Sequence, residues 1–213
     1  MKLLLTAFDP FGGEKVNSAQ EAVKRVPGKV GDTDIVKLEL PTVFGQSIRM
    51  LREGLKKHRP DAVLCIGQAG GRFELTPERV AINLDDARIP DNEGNQPIDQ
   101  PIEPDGAPAY FATLPIKAMV EAIQEAGLPA AVSNTAGTFV CNHLMYGLLH
   151  TLYTEYPGVR GGFMHVPFIP EQTARRTAPA PSLSAQDIAR GIEAAVLAIQ
   201  DNQSDISVPG GKE

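Results

Sequence analysis

One cysteine stands where a protein chain commonly places a nucleophile. A run of small residues, 130–137, leads into a predicted helix that opens near Thr138, and Cys141 falls in its first turn. The first amides of a helix lack intrahelical acceptors and its dipole is positive there, so we expect a thiol of lowered pKa beside amide donors for an oxyanion. Cys65 lies inside a predicted strand, and we interpret it as a buried core residue.

A thiol nucleophile requires a base that can later protonate a leaving amine. Of the four histidines, His143 follows Cys141 by two positions on the same helix and is expected to face away from it. His58 follows two lysines and His150 lies more than two turns along the helix. By elimination we predict that His165 is the base, near the carboxyl end of a buried strand. A hydrogen-bonded core histidine is the alternative.

Glu78 is the candidate for a carboxylate that orients the histidine. Strand alternation over residues 78–84 places Glu78 on the apolar side, where a carboxylate must have a partner. That partner is either the imidazole of His165 or an arginine in an ordinary ion pair. The competing acids lie in a polar stretch, and we expect them to be solvated or capping groups: Asp85, Asp86, Asp91 and Glu93.

Composition and spacing exclude several other classes of function. The 20 basic and 26 acidic residues give a net charge of −6 without a basic arm, so a nucleic-acid partner is not expected. No apolar run approaches the roughly 18 residues of a membrane-spanning helix, and two cysteines provide neither a disulfide framework nor a metal site. The glycine-rich residues 67–71 lack dinucleotide-binding and P-loop spacing. The sequence therefore predicts a cytoplasmic protein with no zinc site and no dinucleotide site.

Hydrophobic periodicity predicts alternating strands and helices. The strands are expected over residues 2–8, 34–40, 61–67, 78–84, 130–133 and 162–168, and the helices over residues 19–26, 44–58, 115–126, 138–156 and 184–200. This alternation predicts one three-layer α/β domain over residues 1–200, with helices on both faces of the sheet. The polar residues 85–105 are either mobile or functional, and the tail 201–213 is expected to fray.

Five motifs together resemble the pyroglutamyl peptidase I family, also called pyrrolidone-carboxylate peptidases. They are Asp9-Pro10-Phe11-Gly12-Gly13, Gly67-Gln68-Ala69-Gly70-Gly71, Pro77-Glu78-Arg79-Val80-Ala81-Ile82-Asn83, Asp91-Asn92-Glu93-Gly94-Asn95-Gln96-Pro97, and Ser133 to Gly137 continuing through Cys141-Asn142-His143. The family's order is kept from Lys2 to about Gln200. Departures are confined to the first loop, where Ala7 replaces a common glycine and Asn17-Ser18-Ala19 replaces a common Asn-Pro-Ser.

The resemblance implies a cysteine exopeptidase that removes amino-terminal pyroglutamate through a thioester acyl-enzyme. It assigns Cys141 as nucleophile, His165 as base and Glu78 as acidic member, the same three residues reached above. It also implies a single α/β/α domain with a mixed, mostly parallel twisted sheet, a cytosolic setting, no cofactor and commonly a homotetramer.

The substrate pocket can be outlined from the chemistry of pyroglutamate. This flat, uncharged lactam requires apolar walls and one donor and one acceptor for its ring amide. The resemblance suggests that the walls come from Phe8, Phe11, Phe139 and Val140, with Asn17 aiding ring recognition. It also suggests that Gln68 and Arg88 help to hold the oxyanion.

Two other functions remain open at this point. A glutaminase-type amidohydrolase also uses cysteine, histidine and glutamate, although here the carboxylate precedes the cysteine, unlike the usual order in that class. A small-molecule binding or assembly protein would leave Cys141 inert.

Overall fold

Four parallel strands form the centre of a six-stranded sheet. The computed structural model describes residues 1–209. In chain order the strands are β1 (Lys2–Phe8), β2 (Lys29–Val30), β3 (Thr33–Leu40), β4 (Ala62–Gln68), β5 (Thr76–Pro77), β6 (Val80–Ile82), β7 (Ala109–Phe111) and β8 (Arg160–Val166). The large sheet has the order β2-β3-β1-β4-β8-β5, with antiparallel pairing only at its two edges. Strands β6 and β7 form a separate antiparallel pair.

Helices cover both faces of the large sheet. They are α1 (Ser18–Arg25), α2 (Gln46–His58), α3 (Ile116–Glu125), α4 (Val140–Glu155), α5 (Pro170–Thr173) and α6 (Ala185–Asp201). Helices α1, α3 and α6 pack on one face, and α2 and α4 pack on the other. Every residue of β4 is buried, as expected for a parallel strand covered on both sides. The predicted three-layer α/β/α fold with a mixed, mostly parallel sheet is confirmed.

Two predicted strands are wrong in extent. Of the strand expected over residues 78–84, only Val80–Ile82 forms a named strand, β6, because the Glu78 amide donates to Phe163 O in β8 while the Arg79 amide donates to Ser133 O. Residues 130–133 form no named strand. They make isolated bridges from Ala130 to Leu75 and from Ser133 to Glu78. The backbone hydrogen-bond partner of the chain therefore changes at Glu78, from β8 to the segment that contains Ser133.

The helix that carries the cysteine begins later than expected. Helix α4 starts at Val140 with Phe139 as N-cap residue, two residues beyond the start predicted at Thr138. The Thr138 hydroxyl donates to the carbonyl of Asp86, at 2.8 Å. Phe139 keeps an extended conformation, with φ −93° and ψ −167°, so the helix begins only after this residue.

Residues 85–105 are held in place although they contain no helix or named strand. The Asp91 carboxylate, 7% exposed, accepts hydrogen bonds from the amide of Phe44 and from Glu93 and Asn95. The Asn92 side chain donates to Asp9 Oδ1 and Pro10 O. These contacts attach the segment to the loops that follow β1 and β3. Asp91 therefore stabilises the conformation of residues 85–105.

The described part of the tail contacts α3. Beyond the end of α6, the Asp205 carboxylate accepts from the amides of Lys117 and Ala118, at 3.0 and 3.1 Å. These contacts anchor a segment that the sequence predicts to be frayed. The remainder of the predicted tail, residues 210–213, lies outside the described residues.

Candidate active site

The carboxyl ends of β4 and β8 bring a glycine and a histidine side by side. Gly67 pairs with His165, and Cys65 pairs with Phe163, in parallel register. Because side chains alternate along a strand, all four residues face the same side of the sheet. Cys65 and Phe163 belong to the core cluster that contains the apolar residues of α4. His165 therefore lies on the face of the sheet that α4 covers.

Cys141 is the second residue of α4 and lies against Gly67. A Cβ atom added to Gly67 would be 3.0 Å from Cys141 Sγ and 2.5 Å from Phe163 Cζ. The ring of Phe163 also contacts the His165 ring, with centroids 4.9 Å apart. The missing side chain of Gly67 therefore leaves the space that the Cys141 sulfur occupies. Gly67 is also the residue of β4 that pairs with His165.

The N-terminus of α4 leaves backbone donors near the sulfur. Phe139 has an extended conformation and no side-chain acceptor for the helix amides. The first bond at the helix start runs from the His143 amide to Phe139 O, at 3.1 Å. The amides of the three preceding residues, including that of Cys141, therefore have no intrahelical acceptor. Such amides are suited to bind a developing oxyanion.

His165 and Glu78 form a buried hydrogen-bonded pair. His165 Nδ1 lies 2.7 Å from Glu78 Oε1, with the histidine 4% exposed and the glutamate fully buried. The backbone amide of Glu78 donates to Phe163 O at 2.8 Å, which fixes the glutamate beside β8. Since Nδ1 contacts the carboxylate, Nε2 on the opposite side of the ring remains for proton transfer.

Glu78 also pairs with an arginine that the sequence interpretation did not identify. Arg72 Nη1 lies 2.7 Å from Glu78 Oε1 and 2.6 Å from Thr76 Oγ1, and Arg72 Nη2 donates to the carbonyl of Thr135 at 3.2 Å. The two partners considered as alternatives for Glu78, a histidine and an arginine, are therefore both present on the same oxygen.

These contacts keep the Glu78 carboxylate ionised. Burial alone would raise its pKa, but the hydrogen bond and the positive charge of His165, together with the charge of Arg72, lower the pKa below the ordinary carboxyl value. An ionised glutamate can accept a hydrogen bond from a protonated Nδ1. It can also stabilise the imidazolium that forms when His165 takes up a proton.

The expected lowering of the Cys141 pKa is wrong. Burial and, to a smaller extent, the negative charge of Glu78 together raise the pKa of this thiol to about 12, and the positive charge of Arg72 opposes them. Cys141 is therefore a neutral thiol in the unliganded chain, and a base would have to remove its proton before the sulfur could act as a nucleophile.

Gln68 and Arg88 differ in how firmly they are held. Gln68 is 9% exposed, and its Oε1 accepts from the Ser18 amide at 2.9 Å and from Gln172 Nε2 at 2.8 Å. With the oxygen fixed, the amide NH2 group at the end of β4 is oriented as a donor. Arg88 is exposed, two residues beyond the Asp86 carbonyl that binds Thr138.

An aromatic cluster surrounds the start of α4. The ring centroid of Phe139 lies 6.2 Å from that of Phe11 and 5.4 Å from that of Phe44, the latter in an edge-on contact. Phe8 is buried against Phe163 at 6.5 Å. The side chain of Val140 is fully buried in the core below. Phe44 was not predicted, because its proximity depends on the loop that precedes α2.

Asn17 is engaged in holding the first loop. It is 1% exposed, its Oδ1 accepts from the Ala19 amide, and its Nδ2 donates to the Asp9 carbonyl, both at 3.0 Å. It is the N-cap residue of α1. Both ends of its amide are therefore used within the chain.

A second buried histidine–carboxylate pair lies on the far side of α4. His143 Nδ1 is 2.8 Å from Asp85 Oδ2, and His143 Nε2 accepts from the Gly45 amide at 2.8 Å. The prediction that Asp85 is solvated or capping is wrong, since it is 6% exposed and paired with this ring. Both ring nitrogens are occupied, so His143 fastens α4 to its neighbours.

Cys65 is fully buried in the core beside α4, as predicted. Within residues 1–209, no group of three or more histidine, cysteine or acidic side chains could hold a metal ion. Over the same residues, no helix is long and apolar enough to cross a membrane.

The chain is similar over nearly its whole length to proteins of known family and structure. A family model described as pyroglutamyl peptidase matches residues 1–202. A pyrrolidone-carboxylate peptidase of Clostridium botulinum is 55% identical over 212 residues, covering 100% of this chain and 99% of the relative. The crystal structure of Bacillus amyloliquefaciens pyroglutamyl peptidase I superposes with a TM-score of 0.93 at 55% identity, covering 96% of this chain and 99% of that one. The pyrrolidone carboxyl peptidase of Thermococcus litoralis gives 0.92 at 35% identity, covering 98% and 99%.

Proposed function

Because the chain belongs to the pyroglutamyl peptidase family, we propose that it removes amino-terminal pyroglutamate from peptides with Cys141 as nucleophile, His165 as base and Glu78 as orienting carboxylate. The observation that carries this assignment is the buried Glu78–His165 pair, with the Cys141 sulfur packed against Gly67, the residue of β4 that pairs with His165. Family membership makes the chain a hydrolase, which removes the non-enzymatic alternative.

The first half of the reaction is acyl transfer to sulfur. As Cys141 Sγ attacks the carbonyl carbon that joins pyroglutamate to the next residue, its proton passes to His165 Nε2, and the carbonyl oxygen becomes an oxyanion. When the tetrahedral intermediate collapses, the C–N bond breaks and His165 donates that proton to the departing amine. A thioester remains on Cys141. Glu78 stays ionised and stabilises the transient imidazolium.

The second half of the reaction releases the lactam. A water molecule attacks the thioester carbon and transfers a proton to His165, and the C–S bond then breaks. Free pyroglutamate leaves, and the proton returns from His165 to the sulfur of Cys141. Because the thiol begins and ends neutral, His165 carries every proton that moves in the cycle.

The oxyanion is assigned to the free amides at the start of α4, with help from Gln68 and Arg88. The orientation of the Gln68 side chain, whose oxygen accepts two hydrogen bonds, supports a donor role for its NH2 group. Loss of one such donor typically costs about 2.7–4 kcal/mol of transition-state stabilisation.

The lactam ring is assigned to the aromatic surface formed by Phe11, Phe139 and Phe44, with Phe8 and Val140 packed beneath it. Asn17 acts on this pocket by fixing the Asp9 loop. A lactam-reading site rejects proline, which lacks the ring carbonyl, because polar groups of the pocket would then remain unpaired.

We further assign the chain to a cytoplasmic homotetramer. The two free cysteines suit a reducing compartment, and Phe111 and Tyr153 expose 66% and 77% of their surfaces beside one groove, which a second copy would cover. Light scattering coupled to size exclusion tests the assembly, and cell fractionation tests the location. A monomer at micromolar concentration contradicts the tetramer.

The catalytic assignment is tested by release of aminocoumarin from pyroglutamyl-aminocoumarin. The native chain should release the fluorophore, and Cys141→Ala should lose all activity above background while keeping its circular dichroism spectrum. Cys65→Ala is the matched control and should remain active. An active Cys141→Ala variant refutes the nucleophile, and glutamine deamidation without lactam cleavage refutes the substrate class.

A further inference from the structure

The turn that follows β4 places the guanidinium group of Arg72 in the candidate active site. Residues 69–72 reverse direction through a bond from the Arg72 amide to Ala69 O, at 3.3 Å, with Gly71 at a φ of +96° that favours glycine. Gly70 packs against the ring of Phe168, where a Cβ atom would clash. Two of the glycines in this motif therefore serve to bring Arg72 back toward the edge of the sheet.

Arg72 joins three parts of the site. Its guanidinium contacts Thr76 in β5, the Glu78 carboxylate, and the carbonyl of Thr135 in the loop that leads to Cys141. The Arg72 side chain is 31% exposed, whereas that of Glu78 is fully buried. The contact with Glu78 is thus a charge-assisted hydrogen bond to a carboxylate shielded from water, where such bonds are strong.

The arginine and the histidine share one oxygen atom. Both Arg72 Nη1 and His165 Nδ1 lie 2.7 Å from Glu78 Oε1. An oxygen held from one side by a rigid guanidinium can approach the imidazole only from the other side. The position of Oε1, and with it the direction of the His165 ring, therefore depends on Arg72.

We infer that Arg72 is a positioning residue for catalysis, which acts through Glu78 to hold His165 in its reactive orientation. The inference rests on the proposed function of His165 and Glu78. Arg72 has no assigned contact with substrate. Its loss should therefore lower kcat and leave KM nearly unchanged.

The charge of Arg72 gives a second consequence that a purely structural residue would lack. Arg72 lowers the pKa of Glu78 and of Cys141. Removal of this positive charge should therefore raise the pKa values of both groups. We expect the acid limb of the kcat/KM profile to move to higher pH as a result.

The test compares Arg72→Met with the native chain. We expect kcat to fall about tenfold to a hundredfold, the effect of losing a hydrogen bond to a charged group, and the acid limb to move upward. Arg72→Lys restores the charge and should return the limb toward its native position with partial recovery of kcat. Should Arg72→Met fold poorly, Arg72→Gln retains a hydrogen-bond donor and must show the same shift of the limb.

Arg52→Met is the matched control. Arg52, which lies on α2, also donates to a carboxylate and to a threonine hydroxyl. Its Nη2 lies 3.0 Å from Glu103 Oε1, and its Nε lies 3.0 Å from Thr151 Oγ1. This variant should keep the native profile. A native profile in Arg72→Met or in Arg72→Gln would overturn the inference.

A double-mutant cycle separates this inference from the proposed function. If Arg72 acts through Glu78, adding Arg72→Met to Glu78→Gln should cause little further loss. Fully additive losses would overturn the positioning role while leaving the catalytic assignment intact. Native activity in Glu78→Gln alone would instead refute the assigned carboxylate.

Discussion

His165 Nδ1 lies 2.7 Å from Glu78 Oε1, although 87 positions separate the two residues in the sequence. Glu78→Gln removes the charge that stabilises the imidazolium and can present an amide group to Nδ1. We expect kcat to fall by about 10² to 10⁴, as when a triad carboxylate is replaced by its amide. Steady-state kinetics with pyroglutamyl-aminocoumarin measures this. Glu103→Gln, which alters an ion pair away from the site, is the control.

Burial raises the pKa of Cys141 to about 12, which predicts how the thiol is alkylated. In the unliganded chain, labelling by iodoacetamide should accelerate continuously between pH 7 and pH 10, because only the thiolate reacts. Mass spectrometry identifies the labelled residue, and Cys141→Ala controls for Cys65. A rate that is already constant below pH 7 would contradict the neutral thiol and indicate a preformed thiolate.

Gly67→Ala should impair catalysis through sterics. The new Cβ atom would meet Phe163 Cζ at 2.5 Å and Cys141 Sγ at 3.0 Å, so the ring and the sulfur must move. Overpacking of this kind costs about 1–3 kcal/mol of stability, and displacement of a nucleophile by 1 Å can cost about a hundredfold in rate. Thermal unfolding and kcat measure the two effects. Gly28→Ala, where the Cβ meets no atom within 4 Å, should be neutral.

Asp91→Asn should loosen residues 85–105 in a pH-dependent way. Burial opposes ionisation of Asp91, but hydrogen bonds from Asn95, Phe44 and Glu93 lower its pKa. A group with a lowered folded pKa stabilises the chain fully above its unfolded pKa, about 3.9, and that contribution disappears as pH falls through the folded value.

At pH 7 we therefore expect Asp91→Asn to lose about 1.5–3 kcal/mol of unfolding free energy, and this deficit should shrink below about pH 4. Urea unfolding at pH 7 and pH 3 measures it. The exposed Asp34→Asn is the control. A deficit that is equal at both pH values would show that the carboxylate charge is not responsible.

The sequence was sufficient to identify the groups that could react. Helix periodicity placed Cys141 in the first turn of α4, and elimination left His165 and Glu78, which the structure brings to hydrogen-bonding distance. These inferences depend on local chemistry, namely the period of a helix and the cost of burying a carboxylate. The strand alternation used for Glu78 was wrong, because in β6 Ala81 is buried whereas Ile82 is 36% exposed.

The partners of these groups required the tertiary structure. The Arg72–Glu78 contact depends on how a glycine turn closes, and the pairing of His143 with Asp85 joins residues 58 positions apart. The Cys141 pKa was predicted in the wrong direction, because helix position is visible in the sequence whereas loss of hydration depends on packing against β4. The start of α4 was predicted two residues too early, because the apolar period does not reveal the extended conformation of Phe139.

The order in which the reactive groups occur along the chain constrains when hydrolysis can begin. His165 lies on the fifth strand of the sheet, β8, which must insert between β4 and β5 before Glu78 and Gly67 meet the imidazole. Under the proposed assignment, a polypeptide not yet extended past β8 lacks its base and is inert toward peptides. Newly made copies therefore acquire the proposed activity only after the central sheet has closed.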